Sequence, residues 1–292
     1  MKISIIIATF NSGKTLRQTL DSIRNQTYEN LEVIIVDGKS TDNTLDIVKE
    51  YSDTVTKCIS EKDTGIYNAF NKGIKLATGD YVCFIGSDDC YCNYDVFRVV
   101  SSKLHEYKKM YSFPIIGINN DTLVENYYND RCSNEAILSG CMVPHPGLIT
   151  RADVMRQYGF DEENKVISDY EFLVRYIVDG GEIVFCDTPI VYFSEDGTSG
   201  GEFGSNNWAT MLSEHIIMLH KLGLEQYTME HIKRFFPLDK INSISYHFRC
   251  IRRVIRHKLG ISDSYKKYFK FWKRHKCGLK ICRWCNRYID RE

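Results

Sequence analysis

The stretch Ile3-Ser-Ile-Ile-Ile-Ala8, followed by the polar turn Thr9-Phe-Asn-Ser-Gly13, decides the fold. The β-branched run predicts a strand that is buried on both faces, as in the centre of a parallel sheet. Leu16, Leu20 and Ile23 then recur at helical spacing. A buried strand, a turn and an amphipathic helix together form the first part of a βαβ unit.

Strand and helix continue to alternate through the first hundred residues. Further strands are predicted at residues 31–36, 55–59 and 81–85, and further helices after Ser40-Thr-Asp42 and over residues 66–76. This order predicts an α/β fold in which a mostly parallel sheet is sandwiched by helices. Because ligands of such sheets bind beyond the carboxyl ends of the strands, the polar residues that follow each strand are the candidate site residues.

The second half of the chain is less regular, and residues 90–140 fit no clear pattern. Further along the chain, helices are predicted near residues 151–158, 169–178 and 208–222, and a strand at residues 182–185. The stretch 194–207 is rich in Gly and Ser, which predicts a loop that closes over a bound ligand.

The charge of the chain is distributed unevenly. Its 38 basic and 38 acidic residues cancel, but residues 233–292 hold 18 basic and 4 acidic ones, which leaves 20 and 34 for residues 1–232. Segments of opposite sign predict a globular domain over residues 1–232 that carries a basic, amphipathic, helical C-terminal extension over residues 233–292.

The basic extension carries an apolar stripe, which indicates a partner of its own. The stripe consists of Ile241, Ile244, Phe248, Ile251, Ile255 and Leu259. Three interpretations stay open: a solvated basic helix, a nucleic-acid-binding segment and attachment to an anionic membrane surface. Aromatic residues among the lysines of residues 265–273 favour the membrane surface, contacted through residues 240–292, so no nucleic acid is expected as a partner.

Composition and missing motifs exclude several classes of protein. With 43% hydrophobic and 26% charged residues, the chain is typical of a globular protein, and no apolar run is long enough to span a bilayer. The sequence lacks the glycine-rich dinucleotide motif, the Walker lysine motif and the serine nucleophile elbow. We recognise no signal peptide and therefore expect a cytoplasmic location with reduced cysteines. A weak zinc signal comes from His275, Cys277, Cys282 and Cys285.

Two adjacent carboxylates, Asp88 and Asp89, follow the predicted strand at residues 81–85. Such a pair is unfavourable unless a cation or hydrogen-bond donors offset the repulsion. Hard divalent cations bind carboxylate oxygen and phosphate together. The pair therefore indicates a metal site, although a solvated Asp-Asp turn explains the same pattern.

Two other acidic residues have two interpretations each. Asp37, at the end of the second strand, is either an acceptor for a nucleotide base or ribose, or a structural residue of the turn. Asp169 is either a general base at the start of a helix or a neighbour of a capping box formed by Ser168 and Glu171.

Five motifs stand in the order and at the spacing of a known family. They are Ser4-Ile-Ile-Ile-Ala-Thr-Phe-Asn11, Val36-Asp-Gly-Lys-Ser-Thr-Asp-Asn-Thr44, Glu61-Lys-Asp-Thr-Gly-Ile-Tyr-Asn-Ala-Phe-Asn-Lys-Gly73, Ala77-Thr-Gly-Asp80 and Gly86-Ser-Asp-Asp89. Together they resemble family 2 glycosyltransferases over about the first two hundred residues. The resemblance implies the GT-A fold, with a Rossmann-like, mostly parallel sheet.

The resemblance implies a role for each matching residue. Those implied to bind the nucleotide sugar are Thr9, Asn11, Asp37, Asp63, Asn68, Lys72 and Asp88. Asp89 would bind Mn²⁺ or Mg²⁺, Asp169 would be the catalytic base, and His145 would lie on the acceptor side. The chain departs from the family at Ala8, where proline is usual, and at Ser168-Asp169, where the family often has Glu-Asp.

The resemblance also implies the reaction. It would be a metal-dependent, inverting transfer of a hexosyl or N-acetylhexosaminyl group from a nucleoside diphosphate sugar, with UDP as the expected nucleotide. The expected acceptor is a lipid-linked or growing glycan of bacterial polysaccharide or lipopolysaccharide biosynthesis. The enzyme would then be peripheral on the inner face of the cell membrane, and a homo-oligomer stays open. Two rival functions are a non-catalytic nucleotide-sugar-binding or scaffold protein and a basic-tailed nucleic-acid binder.

Overall fold

The computed structural model describes residues 1–105, 108–119, 124–128, 132–195 and 208–235. The chain divides into two compact units, Met1–Gly204 and Ser205–Glu292, which are described separately. The predicted boundary between residues 232 and 233 lies inside the second unit. It stays a prediction, because residues 236–292, and with them nearly all of the basic extension, lie outside the described residues.

The first unit contains all the described strands. They are β1 (Ile3–Thr9), β2 (Leu31–Asp37), β3 (Lys57–Ser60), β4 (Tyr81–Phe84), β5 (Cys90–Tyr91), β6 (Met110–Ser112), β7 (Ile115–Asn119), β8 (Val124–Tyr128), β9 (Leu148–Arg151), β10 (Val184–Phe185) and β11 (Val191–Ser194). Its helices are α1 (Leu16–Arg24), α2 (Thr44–Glu50), α3 (Ile66–Leu76), α4 (Val96–Lys103), α5 (Asn134–Leu138), α6 (Ala152–Tyr158) and α7 (Ser168–Val178), with a 3₁₀ turn at His145–Gly147.

The main sheet has seven strands in the order β10-β6-β9-β4-β1-β2-β3. β1 pairs in parallel with β2 and with β4, and β2 pairs in parallel with β3. Only β9 runs against its neighbours β4 and β6. The predicted α/β fold with a mostly parallel sheet is therefore confirmed, and the carboxyl ends of β1, β2, β3 and β4 lie along one edge.

The core is densest where β1 crosses the centre of the sheet. Ile5, Ile6 and Ile7 have no exposed surface, as the β-branched run predicts for a strand covered on both faces. Helix α3 packs closely on this strand at Gly73, where an added Cβ would overlap Cγ2 of Ile6. Gly73 thus sets a short distance between α3 and the sheet.

Strand and helix boundaries differ from the sequence prediction by one to two residues. The third strand begins at Lys57 rather than Val55, because the amides of Thr54 and Val55 bond to the Tyr51 carbonyl and continue the turn that ends α2. The strand predicted at residues 182–185 keeps only its last two residues in β10. Helix α3 has the predicted bounds.

A second sheet has the strand order β5-β11-β7-β8, and three of its strands, β5, β7 and β8, lie within residues 90–140, where the sequence showed no pattern. β11 pairs in parallel with β7 and antiparallel with β5. Its last residue donates a backbone hydrogen bond to Asp89 Oδ1, at 2.9 Å from Ser194 N. The small sheet is therefore fixed directly to the carboxylate pair that follows β4.

One disulfide joins Cys132 to Cys141, on either side of α5. The expectation of reduced cysteines is wrong for this pair, because the turn of α5 brings the two Cα atoms within 6.5 Å, a distance that a disulfide spans. The other cysteines that the structure describes are free thiols: Cys58, Cys83, Cys90, Cys92 and Cys186.

The second unit is described over residues 208–235 and is helical there. It contains α8 (Trp208–Lys221), as the sequence predicts, a 3₁₀ turn at Glu225–Tyr227 and α9 (Thr228–Phe235). The two helices meet at two buried histidines, His215 and His231, whose Nδ1 atoms lie 3.0 Å apart. Within the described residues, no helix is both long and apolar enough to cross a membrane.

Candidate active site

The carboxyl ends of β1, β2 and β3 are joined by the carboxylate of Asp37. Asp37 is fully buried and accepts hydrogen bonds from the hydroxyls of Thr9 (3.1 Å), Ser60 (2.6 Å) and Ser40, and from Ser40 N (3.0 Å). Burial raises the pKa of Asp37, but the hydrogen bonds from these residues outweigh it and the net shift is downward. The structure thus brings Thr9 and Asp37 together at this edge of the sheet, and their predicted contact with a nucleotide stays a prediction.

The turn after β1 is held by Asn11 in a left-handed conformation, with φ of 52°. Its side-chain Oδ1 accepts a hydrogen bond from Thr41 N at 2.9 Å, and its backbone N–H donates to Ser40 Oγ at 2.8 Å. Asn is one of the few non-glycine residues that adopt this conformation readily. Asn11 therefore joins the turn after β1 to the loop after β2.

Phe10 is a site residue that the sequence analysis did not single out. Its ring is 66% exposed, directly between Thr9 and Asn11. Gly38 keeps the space beside it open, because an added Cβ would lie 3.4 Å from the Phe10 ring and 2.5 Å from Asp63 Oδ2. An exposed aromatic face beside a carboxylate suits a planar heterocycle that offers N–H donors. The signal in the sequence was a large aromatic residue within a polar turn.

Asn68 and Lys72, both on α3, are engaged with other protein groups. Asn68 Nδ2 donates to Glu162 Oε2 at 2.7 Å, and Lys72 Nζ contacts Glu61 Oε1 and the Lys62 carbonyl, both at 2.9 Å. These contacts tie α3 to its neighbouring loops. The predicted contact of these two residues with a nucleotide sugar stays a prediction.

Asp88 and Asp89 follow β4 and face different surroundings. Asp89 is 2% exposed and accepts hydrogen bonds from Gly86 N (3.1 Å) and Ser194 N (2.9 Å). Burial, with the neighbouring charge of Asp88 adding to it, raises the pKa of Asp89 to about 7. Burial also raises the pKa of Asp88, whose carboxylate is half-buried and accepts no side-chain hydrogen bond from the part of the chain that the structure describes.

One oxygen of each carboxylate points to the same space beside Gly86. A Cβ at that position would lie 2.6 Å from Asp89 Oδ2 and 2.8 Å from Asp88 Oδ1. Two hard oxygen donors without a positive partner among the described residues fit Mn²⁺ or Mg²⁺, which typically use one or two carboxylates together with substrate phosphates. The described residues hold no cluster of three or more metal-binding side chains, which is compatible with such sparse ligation.

Asp169 lies at the start of α7. It is far from α3 in the sequence but contacts that helix in space. Its Oδ1 accepts hydrogen bonds from the Tyr67 hydroxyl at 3.0 Å and from Tyr170 N at 2.9 Å. The expected capping box does not form, because Ile167 is the N-cap and the Glu171 carboxylate turns to Asn164 Nδ2 at 2.7 Å. Asp169 is therefore held by a side-chain hydroxyl of α3 and a backbone N–H of α7.

His145 lies within a group of aromatic rings near Asp169. Its ring stacks on Phe84 at 5.0 Å and meets Phe160 edge-on at 5.7 Å between centroids. Burial lowers the pKa of His145, although the negative charge of Asp169 acts in the opposite direction. The imidazole is thus neutral at pH 7 and offers one N–H donor and one acceptor.

The fold and the polar residues along this edge of the sheet define an α/β protein with a candidate ligand site at the carboxyl ends of its strands, and the comparison with protein families identifies the family. The chain belongs to glycosyl transferase family 2, whose model matches residues 4–160, more than half of the chain.

Two solved structures share the fold. Residues 1–349 of TarS of S. aureus, in complex with UDP-GlcNAc, superpose with a TM-score of 0.69 at 20% identity, and the match covers 88% of this chain and 81% of that fragment. The mannosyltransferase PcManGT of Pyrobaculum calidifontis, in complex with GDP-Man and Mn²⁺, gives a TM-score of 0.59 at 14% identity over 94% of this chain and 79% of that one. At these identities the likeness shows the fold.

Among sequence relatives, the chain is 39% identical over 104 residues to WfaP of Escherichia coli, a UDP-Glc:alpha-D-GlcNAc-diphosphoundecaprenol beta-1,3-glucosyltransferase. The match covers 35% of this chain and 40% of WfaP. The chain spans about two fifths of the length of the other leading relatives as well.

Proposed function

We propose that this chain transfers a sugar from a nucleoside diphosphate sugar to an acceptor hydroxyl, with inversion at the anomeric carbon. The observation that carries the proposal is the pair Asp88 and Asp89, whose oxygens converge beside Gly86 without a protein cation to balance them. In a member of this family, such a pair at the carboxyl edge of the sheet is suited to a divalent cation and a diphosphate.

UDP is the nucleotide that we propose for the donor. The exposed ring of Phe10 offers a stacking face, and Asp63 beside Gly38 offers an acceptor to a base N–H. Thr9, Asn11 and Asp37 hold the two loops that frame this surface. TarS, which has the same fold, binds UDP-GlcNAc, and WfaP uses UDP-Glc by name. A hexosyl or N-acetylhexosaminyl group is thus the proposed cargo.

Asp88 and Asp89 would hold Mn²⁺ or Mg²⁺. Asp88 is the more available ligand, because both Asp89 oxygens already accept backbone hydrogen bonds that fix the carboxylate. When bound, such a cation neutralises negative charge that develops on the departing diphosphate. The protein's own contribution is to keep both carboxylates in place beside Gly86.

Asp169 is the proposed general base. Among the described residues, its Oδ2 accepts no hydrogen bond, so this oxygen is available for the proton of the acceptor hydroxyl. The acceptor oxygen then forms the bond to the anomeric carbon, while the bond to the diphosphate breaks and its electron pair leaves with the nucleotide. His145, neutral and close to Asp169, would orient the acceptor through its N–H group.

A lipid-linked or growing glycan is the proposed acceptor, as the name of WfaP suggests. We propose that residues 240–292 bring the site to an anionic membrane surface, since each basic residue there adds about 1 kcal/mol of attraction. Flotation of the full chain with phosphatidylglycerol vesicles tests this, and equal flotation with neutral phosphatidylcholine vesicles contradicts it.

The proposal is tested first by a thermal-shift screen of nucleotide sugars with and without Mn²⁺, since a ligand of the native state raises its apparent stability. Asp169→Asn should then lower the turnover of the stabilising donor by about 10²–10⁴-fold while the donor-induced shift persists. The matched control is Asp179→Asn, at the other end of α7, which should leave turnover unchanged. Stabilisation by a donor without turnover in the unaltered protein would favour the non-catalytic rival.

A further inference from the structure

Helix α3 contacts the proposed base through a single hydroxyl. Tyr67, in the first turn of α3, is 8% exposed, and its hydroxyl oxygen lies 3.0 Å from Asp169 Oδ1 and 2.9 Å from the carbonyl oxygen of Val166. The hydroxyl carries one proton and therefore donates to one of these two acceptors at a time. The contact joins residues that are 102 positions apart in the sequence.

We propose that Tyr67 is a positioning residue for Asp169, and that its hydroxyl changes acceptor during the reaction. The inference rests on the proposed function, in which Asp169 is the base. While Asp169 is a carboxylate, the charge-assisted hydrogen bond to Oδ1 is the stronger of the two. This bond, together with that from Tyr170 N, fixes the rotamer of Asp169 and leaves Oδ2 directed to the acceptor.

The Val166 carbonyl oxygen gives the Tyr67 hydroxyl a second acceptor when Asp169 is protonated. When Oδ2 takes the proton of the acceptor hydroxyl, the negative charge on the carboxyl group disappears and Oδ1 becomes a weaker acceptor. The Tyr67 hydroxyl then has the Val166 carbonyl oxygen within hydrogen-bond distance, at 2.9 Å. A rotation about one C–O bond thus keeps the buried hydroxyl satisfied in both protonation states.

The position of Tyr67 also relates the two substrates. Its helix begins directly after Gly65, whose amide donates to Asp63 Oδ1 at 3.1 Å, on the proposed donor side. Tyr67 thus fixes the base relative to the donor-binding segment. From other elements, two titratable groups face Asp169: the Tyr67 hydroxyl from α3 and the neutral His145 imidazole from the 3₁₀ turn.

The chain offers a matched control at the other end of α7, the helix that begins beside Asp169. At the carboxyl end of α7, the Tyr158 hydroxyl donates to Asp179 Oδ2 at 2.7 Å. Tyr158→Phe therefore removes a tyrosine–aspartate hydrogen bond of the same chemistry from the same helix, away from the proposed base. A merely structural role of such a bond should give the same result at both ends.

The experiment compares Tyr67→Phe with Tyr158→Phe in the full chain, using UDP release from the donor that the thermal-shift screen identifies. For Tyr67→Phe we expect kcat to fall about 10- to 100-fold, with the KM for the donor nearly unchanged. The acid limb of the pH–rate profile should move up by about one pH unit, because the charged base has lost a donor. Tyr158→Phe should change neither kcat nor the acid limb of the pH–rate profile.

A pH profile in Tyr67→Phe that matches the unaltered protein overturns the inference, as does an equal shift in Tyr158→Phe. Asp169→Asn distinguishes an error in the proposed base from an error in the proposed positioning role of Tyr67. If it leaves turnover intact, the proposed base is wrong. If it abolishes turnover while Tyr67→Phe leaves the acid limb in place, only the positioning role is wrong. An unchanged donor-induced thermal shift in Tyr67→Phe shows that the variant is folded.

Discussion

Two buried carboxylates at opposite ends of the main sheet have opposite surroundings. Glu32, near the amino end of β2, is 1% exposed and accepts hydrogen bonds from Ser4 Oγ at 2.6 Å and Thr78 N at 2.7 Å, with Lys2 and Lys57 as charged partners. Asp89, beyond the carboxyl end of β4, is as deeply buried, but the described part of the chain gives it only two backbone donors and no cation.

The difference appears in the pKa values of the two groups. Burial raises the pKa of Glu32, but hydrogen bonds from Ser4, Thr78 and Lys57 outweigh it, and the net shift is downward. At Asp89 burial prevails, and the pKa rises to about 7. Among the described residues, the carboxylate at the amino end of the sheet thus has charged partners, whereas the carboxylate at the carboxyl end has none, as the proposed binding of a cation there requires.

The largest effect is expected on stability, when the hydrogen-bonded Glu32 cluster at the amino end of the sheet is disrupted. Glu32→Ala removes the shared acceptor of two lysines and two buried donors, and should lower the free energy of unfolding by about 2–4 kcal/mol. Urea denaturation measures this. The exposed Glu50, which pairs with Arg17, is the control, and Glu50→Ala should leave the midpoint unchanged. Equal midpoints for the two variants would mean that the Glu32 cluster adds nothing to stability.

A smaller effect, on activity rather than stability, is expected at the other end of the sheet. Asp88→Asn removes one of the two oxygen donors beside Gly86 and should lower Mn²⁺-dependent turnover about 10- to 100-fold, or about 1.4–2.7 kcal/mol in the barrier. Its urea midpoint should stay close to that of the unaltered chain, because Asp88 accepts no described side-chain hydrogen bond. If Asp88→Asn lowered stability but kept turnover, Asp88 would have a structural role like that of Glu32, and the proposed difference between the two ends of the sheet would be wrong.

The smallest effect is a dependence on pH. The pKa of Glu32 is lower in the folded chain than its unfolded value of about 4.3. Its contribution to stability is therefore complete above that pH and is lost as the pH falls toward the folded pKa. The stability difference between the unaltered chain and Glu32→Gln should narrow by about 1 kcal/mol between pH 7 and pH 3.5. A constant difference across this range would contradict the shift.

The sequence predicts those parts of the fold that local pattern determines. β1 and β2 are rich in β-branched residues, and α3 has an amphipathic pattern that starts directly after Gly65, so their bounds follow from neighbouring residues. The second sheet could not be predicted, because β5 and β11 are two and four residues long and their pairing joins Tyr91 to Val191, a hundred positions away.

The candidate site shows the same division. The motifs identify Asp88, Asp89 and Asp169 as chemically important types at the ends of predicted elements. They do not show that Asp37 is buried under three hydroxyls, or that Tyr67 reaches Asp169, because both facts depend on side chains from separate segments. Tertiary contacts of this kind have no periodic signal in the sequence.

The close packing of Gly73 on Ile6 has a consequence for how such an enzyme can change over evolution. Gly73 lies six positions after Tyr67 on the same helix, so a methyl group at position 73 would push the helix, and the Tyr67 hydroxyl with it, away from the sheet. Selection can therefore alter the reach of that hydroxyl toward Asp169 from a site that touches no substrate. Position 73 is thus coupled both to core packing and to the placement of the Tyr67 hydroxyl.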